Sequence, residues 1–419
     1  MRGFFKVLSV EEFQERLQSF SPLEAEEAGL SDAADRYLSR DLDSVEDLPP
    51  LPRSSMDGYA VRAADTFGSS EGGPSYIECR GDIDIQTPPD FTLAPGECAA
   101  IVTGGCLPEG ADAVVMVEHT GNLGGEGLGT IEIRRSVAPG ENVMLRGEDA
   151  AAGKPVFKAG RKLRIQELGM LAALGITPVP VRKRPKVGII STGDELVPVE
   201  ATPRPGQIRD VNSVTLAGLA ARFGARPRQY GYVKDEEAAL KGALEKALVQ
   251  NDVVMLSGGS SVGVRDLTLS VVMGLEDSEV LAHGVAVSPG KPCILARVGE
   301  KAVWGLPGQV ASAFVVMAVF GGPFLRWLAG DPLAFEEAMV RYVPATLERN
   351  IASKHGRDDY VRVRLEAGGK DGLAKAVPVL GKSGLLKTLL QAEGLVRIPA
   401  EREGFSAGTR VIVRLFEDM

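Results

Sequence analysis

Residues 252–268 read DVVMLSGGSSVGVRDLT. Val253, Val254, Met255 and Leu256 form an apolar, β-prone run. It empties into Ser257, Gly258, Gly259, Ser260, Ser261 and Gly263, and Asp266 opens a second apolar-periodic segment. That order predicts a buried strand, a glycine loop and a helix start. In an α/β sheet such a junction collects anions, because glycines and a helix N-terminus turn unpaired N–H groups toward the ligand.

The same grammar repeats on either side. Strand patterns are expected over residues 186–191, 228–233, 252–256, 293–298 and 302–306, the last two joined at Gly299-Glu300. Helical patterns are expected over 212–223 and 235–249, from Asp266, and from about Gln309. Strands alternating with helices imply a doubly wound, mostly parallel sheet. Ligands then belong at the carboxyl ends of its strands. Three such ends are polar and glycine-bearing: Ser191-Thr192-Gly193-Asp194-Glu195, Ser257 to Gly263, and Leu306-Pro307-Gly308-Gln309. One such loop is also what an ordinary turn looks like, with Asp266 as an N-cap. Three in one sheet point to a site. Asp194, Glu195 and Asp266 are oxygen donors of the kind Mg²⁺ takes; the alternative is a capping Asp194 and a solvated Glu195. Lys291, in Ser288-Pro289-Gly290-Lys291-Pro292, is stiffly held for a phosphate or oxyanion, or is a surface lysine in a turn. Arg209 and Asp210 precede a helix that Asn212 or Ser213 caps.

Before this region the character differs. Ser9 with Glu12 predicts a capped helix over 10–18, and a second helix is expected over 22–37. Residues 54–153 carry short β runs divided by glycine and proline, which reads as a small β domain. Ser54-Ser55-Met56-Asp57-Gly58-Tyr59-Ala60 stands out there, more elaborate than the turn Asp57-Gly58 needs. Thr103-Gly104-Gly105 and Arg146-Gly147-Glu148-Asp149 are comparable loops. A helix follows over 164–174. After residue 332 alternating runs at 360–365 and 409–415 predict a closing β domain.

With 419 residues, 44% hydrophobic and 25% charged, several soluble domains are expected. A net charge of −9 disfavours nucleic-acid binding. The longest apolar stretch, 310–328, is interrupted by Gly321-Gly322-Pro323 and Arg326, so no membrane span is expected. The N-terminus turns acidic too early for a signal peptide. The four cysteines have no C-x-x-C spacing, and the three histidines are far apart, so reduced thiols, no zinc site and a cytoplasmic location are expected.

Taken together, SSMDGYAV, PGENVMLRGEDAAAGKPV, VGIISTGDELV, GQIRDVNS, LSGGSSVGVRD, SPGKP and GLPGQVASAF occur in that order. The set resembles the molybdopterin molybdenumtransferases of the MoeA type, which include the E domain of gephyrin. The resemblance implies four parts: residues 1–46 with 154–184 as a helical N-terminal segment, 47–153 as an inserted β domain, 185–332 as the molybdopterin-binding α/β domain, and 333–419 as a C-terminal barrel-like β domain. It implies a homodimer whose active sites are shared between subunits. It implies a Mg²⁺-assisted reaction of molybdate with adenylylated molybdopterin that releases AMP. By the same resemblance Asp57, Glu195, Asp266 and Lys291 are catalytic, with Glu195 and Asp266 on the metal. Thr192, Gly193, Asp194, Asp210, Asp235, Ser257, Gly258, Gly259, Ser261 and Gly263 would hold substrate from the α/β loops. Pro289, Gly290, Pro307 and Gly308 would do so beside Lys291, Thr103 and Asp149 from the β domain, and Arg362 and Ser383 from the last domain. Ser260, Ser288 and Gln309 depart from the family pattern, which leaves the oxyanion site and a molybdate or tungstate preference open. A molybdopterin adenylyltransferase lacks the inserted β domain. A scaffold or a pterin-binding paralogue remains the other alternative. Molybdopterin adenylyltransferase and cofactor-accepting enzymes are the expected partners.

Overall fold

The computed structural model describes residues 7–124, 129–258, 262–368 and 372–416, without the side chains of 262–266 and 339. The chain gathers into two compact units, one of residues 1–39, 160–163 and 180–419, the other of residues 40–159 and 164–179.

The first unit holds the α/β sheet. Its six strands lie in the order Arg226–Val233, Lys186–Thr192, Val253–Gly258, Lys301–Leu306, Ile294–Val298, Ser278–His283. The first four run parallel, and Ile294–Val298 pairs antiparallel with the neighbour on either side. The apolar run that opens the key stretch is continuous because both faces of its strand are covered. Val253 and Met255 enter one core with Val187, Ile189 and Trp304. Val254 and Leu256 enter the opposite core with Ile190 and Val303. The first face is covered by Asn212–Arg222, by the apolar helix starting at Val310, and by Val10–Gln18 through Phe13 and Leu17. The second is covered by Glu237–Gln250 and Val262–Met273. The predicted capping box is present: Ser9 Oγ accepts from the Glu12 N–H at 3.1 Å, and the Glu12 carboxylate accepts from the Ser9 N–H at 2.8 Å. The helical stretch Val310–Leu328 is long and apolar enough to cross a membrane, yet 83% of it is buried within the fold.

Two local expectations fail, and one strand was not expected. Residues 22–37 form no long helix; Ala25–Ala28 is a strand paired with Val179–Arg182, followed by one turn, Leu30–Ala33. The carboxylates that would have lined a helix instead meet cations, Glu26 on Arg36 and Glu24 on Lys183 at 2.7 Å. The helix expected from Asp266 begins four residues earlier, at Val262, so Asp266 lies within its second turn and is not its cap. The antiparallel edge strand Ser278–His283 carries no strong apolar alternation and went unpredicted.

The same unit ends in a closed barrel. Asp358–Glu366, Ala374–Pro378, Tyr342–Leu347, Arg410–Leu415 and Gly394–Ile398 follow one another, and the last pairs back with the first. Val287–Ser288, from the loop that carries Lys291, adds to Asp358 and Asp359 as a parallel edge.

The second unit is built on a six-stranded sheet in the order Ala113–Met116, Gly58–Val61, Glu97–Ile101, Ser75–Asp82, Thr130–Ile133, Thr120–Asn122. Ile77, Cys98, Val115, Ile131 and Ile133 fill its core. The helix Ile165–Ala173 stops where Gly175 takes a φ of +64°. All four cysteines are free and buried.

Candidate functional site

The parallel strands deliver their loops to one edge of the sheet. Thr192 and Gly258 end neighbouring strands in register. A side chain at Gly258 would lie 2.1 Å from the Thr192 carbonyl oxygen, so only glycine allows this approach. Gly193 leaves the strand at φ +152°, and a Cβ there would strike the Glu195 carboxylate at 2.6 Å. The backbone is thereby open at both loops, which is what an anion cradle requires. Gly259, Ser260 and Ser261 lie outside the described residues, and the side chain of Asp266 is likewise not described; Gly263 sits in the first turn of Val262–Met273.

Asn212 ties the loops together. Its Nδ2 donates to Ser257 Oγ and to the Gly308 carbonyl, each at 2.8 Å, while its Oδ1 is buried without a partner among the described residues. Ser191 Oγ and Asp235 Oδ1 are orphaned in the same way. Buried polar atoms are normally satisfied, so three at one edge of one sheet mark a place built for another molecule. Neither Asn212 nor Ser213 is the cap that the sequence suggests. Asp210 does the capping, accepting from the Ser213 N–H at 3.1 Å.

Asp194, Glu195 and Asp235 form an acidic corner beside these loops. Asp194 accepts from the Asp235 N–H at 3.3 Å. Burial, followed by the charges of Asp194 and Glu195, pushes the Asp235 carboxyl above its ordinary range. A carboxylate set under mutual repulsion suits a hard cation. No group of three or more His, Cys, Asp or Glu side chains among the described residues is arranged to enclose a metal by itself.

Lys291 belongs to a second element of the site. Ser288, Pro289, Gly290, Lys291, Pro307 and Gly308 surround a cavity of about 300 Å³, with Gln309, Arg357 and Ser383 at its edge. Gly290 turns at φ +122° against Val316, where a Cβ would come within 2.4 Å. The Ser383 hydroxyl donates to Gln309 Oε1, and the Ala311 N–H donates to the Ser383 carbonyl at 2.9 Å. Gln309 thus keeps an amide hydrogen bond, although it departs from the family pattern. Arg362 does not reach this cavity. It lies behind the loop bearing Ser383, donating to Thr388 Oγ1 at 2.5 Å and to the Gly381 carbonyl at 2.9 Å. The arginine that does line the cavity is Arg357, paired with Asp359 at 2.9 Å. It stands just before the strand Asp358–Glu366, and that position was the available signal.

In the other unit, Asp57 Oδ1 accepts from the Thr103 N–H at 2.6 Å and from its hydroxyl at 2.8 Å. These two bonds, the backbone one first, hold the exposed Asp57 carboxyl below its ordinary range. Gly58 is required because a Cβ would sit 1.9 Å from the Val115 carbonyl oxygen. Asp57 is therefore an ionised, oriented and accessible carboxylate. Among the described residues Asp149 makes only a main-chain bond, to the Leu48 carbonyl at 2.9 Å.

Comparison with known proteins adds a second line of observation. Residues 8–175 match the MoeA N-terminal region (domain I and II), 188–327 a probable molybdopterin binding domain, and 344–416 the MoeA C-terminal region (domain IV). A molybdopterin molybdenumtransferase of Nostoc is 34% identical over 90% of this chain and 86% of its own. That of Bacillus subtilis is 30% identical over 94% and 90%. A crystal structure of a molybdopterin biosynthesis MoeA protein from Pyrococcus horikoshii superposes with a TM-score of 0.79 at 31% identity, covering 98% of this chain and 100% of that one. The chain belongs to the MoeA family of molybdopterin biosynthesis proteins.

Proposed function

We infer that the chain is a molybdopterin molybdenumtransferase, the activity for which its curated relatives are named. Adenylylated molybdopterin and molybdate are the substrates: the phosphoanhydride link is cleaved, AMP leaves, and molybdenum is kept by the dithiolene sulfurs. The observation that carries this reading is the set of open, unsatisfied strand-end loops around Asn212, beside a cationic cavity.

Each residue has a physical task in this reading. The open backbone at Thr192, Gly193, Ser257 and Gly258 holds the pterin and its phosphates. Lys291 and Arg357 attract the oxyanion into the cavity, and Ser383 fixes Gln309 against it. Mg²⁺ would be held by Glu195 and Asp266, because this ion usually takes one or two carboxylates and completes its shell with phosphate oxygens and water. When bound it neutralises charge that develops on the phosphate oxygens. Asp57, ionised and aimed by Thr103, orients a water or a proton at the cleaved link. It would be supplied by a second copy of the chain, in a homodimer with shared sites. Asp149 would take part from the same β domain. The four-part division of the chain, a cytoplasmic location, and transfer from a molybdopterin adenylyltransferase to cofactor-accepting enzymes belong to the same proposal.

The test is direct. Purified protein is mixed with adenylylated molybdopterin, Mg²⁺ and either molybdate or tungstate, and AMP is followed by chromatography. AMP release that depends on molybdate is expected. Pterin binding without AMP release would support a binding paralogue or scaffold, and a faster reaction with tungstate would identify a tungstate insertase.

A further inference from the structure

A second and larger cavity, about 760 Å³, lies in the same unit on the outside of the C-terminal barrel. Strand alternation explains its wall. Val411 and Val413 point into the barrel core, so Ile412 and Arg414 face outward. Tyr360 and Arg397 join them from neighbouring strands, and Val10 and Val319 close the opposite side from the two helices packed there. The volume is that of a ligand pocket, and its lining is mostly apolar with a few convergent polar groups.

The charges in this cavity do not balance. Arg397 holds Asp358 at 2.6 Å, Glu337 at 3.5 Å and Glu11 at 3.7 Å. The remaining oxygen of Glu337 accepts from the Tyr342 hydroxyl at 3.1 Å, and the remaining oxygen of Asp358 accepts from the Ala400 N–H at 2.9 Å. Each nearby carboxylate is therefore already engaged. Arg414, opposite Tyr342 in the barrel register, has its Nε closed off from water with no hydrogen-bond partner among the described residues. No ion pair joins it to any described carboxylate. Burial, the largest cause, lowers the pKa of the Arg414 guanidinium, and Arg326 adds to this while Tyr342, Tyr360 and Glu337 act against it. A guanidinium with a dry, unpartnered Nε and no carboxylate paired to it, beside an open cavity, is a receptor for an anion.

We propose that this cavity binds a small organic anion, a carboxylate or phosphate on an aromatic or apolar body, with the charge on Arg414 and the body against Tyr360, Leu395 and Val319. Its lining shares no residue with the cavity at Lys291, so the proposal stands apart from the catalytic reading.

Isothermal titration of the full chain with four probes tests it. Benzoate and phenyl phosphate carry both charge and ring, benzyl alcohol only the ring, and inorganic phosphate only the charge. Binding of one or both ring-bearing anions, one per chain, is expected, about tenfold or more tighter than either control. The preferred anion tells a carboxylate ligand from a phosphate ligand. Arg414→Leu should weaken binding at least about tenfold, and Arg414→Lys should restore part of it. Ile412 is 52% exposed on the outer face, so Ile412→Trp fills the cavity without entering the barrel core and should abolish binding even if Arg414→Leu fails to fold. Lys291→Ala should leave the titration unchanged. Benzyl alcohol binding as tightly as the anions, binding retained in Ile412→Trp, or binding lost in Lys291→Ala would each overturn the proposal.

Discussion

Asp57 carries the most exposed part of the account. Its carboxylate is aimed by Thr103 and buries little, so Asp57→Asn should leave the melting temperature nearly unchanged. AMP release should fall by about 10²-fold or more, the usual loss when a positioned acid–base group is removed. Equal activity in the variant would make the pair a surface turn. Asn212 is different, because it works through other residues. Asn212→Ala removes both bonds that join Ser257 to Gly308 and should destabilise the fold by about 1–3 kcal/mol in urea titrations. Asp235 offers a pH signature. Its native carboxyl keeps its proton above the ordinary 3.8, so the native state binds more protons than the unfolded chain in the window just above that pH. Stability contributed at this site is therefore lost as pH rises through the window. In Mg²⁺-free buffer the advantage of Asp235→Asn over the parent chain should grow between pH 3.8 and 7 in denaturant titrations. A constant difference across that range would show that Asp235 does not feel its neighbours.

At the scale of elements, the strands were legible where burial on both faces forced continuous apolar runs, as at Val253 to Leu256. The barrel strand Arg410–Leu415 was legible from its alternation. The edge strand Ser278–His283 was not, because an edge packed on a mixed surface needs no such pattern. Residues 22–37 misled because scattered apolar residues suggested a helical face, while the carboxylates were destined for Arg36 and Lys183, far off or out of phase in sequence. The candidate site shows the same limit. Glycines could be singled out, since close approach leaves a chemical trace. The choice between Arg357 and Arg362 could not, because it depends on which side of the barrel each faces. Gly258 gives the element-scale prediction. Gly258→Ala places a methyl group 2.1 Å from the Thr192 carbonyl oxygen and should destabilise by about 1–3 kcal/mol through overpacking, read in urea titration. Substrate binding should fall more than this loss of stability explains, because both strand-end loops move.

For the whole molecule, the proposed function places catalytic groups on two copies of the chain. Asp57→Asn and Lys291→Ala chains, each inactive alone, can then rescue one another when mixed after partial unfolding. Half of the dimers would be mixed, each with one intact site, so roughly a quarter of parental AMP release should return. Sites contained within one copy would return none. The central claim is that the chain inserts metal and does not merely bind pterin. It is tested most directly by a single-turnover reaction in which AMP and pterin-bound molybdenum are both measured, the latter by elemental analysis of the separated product. One molybdenum per AMP is expected, with neither formed when molybdate is withheld. AMP released without bound molybdenum, or at the same rate without molybdate, would contradict it.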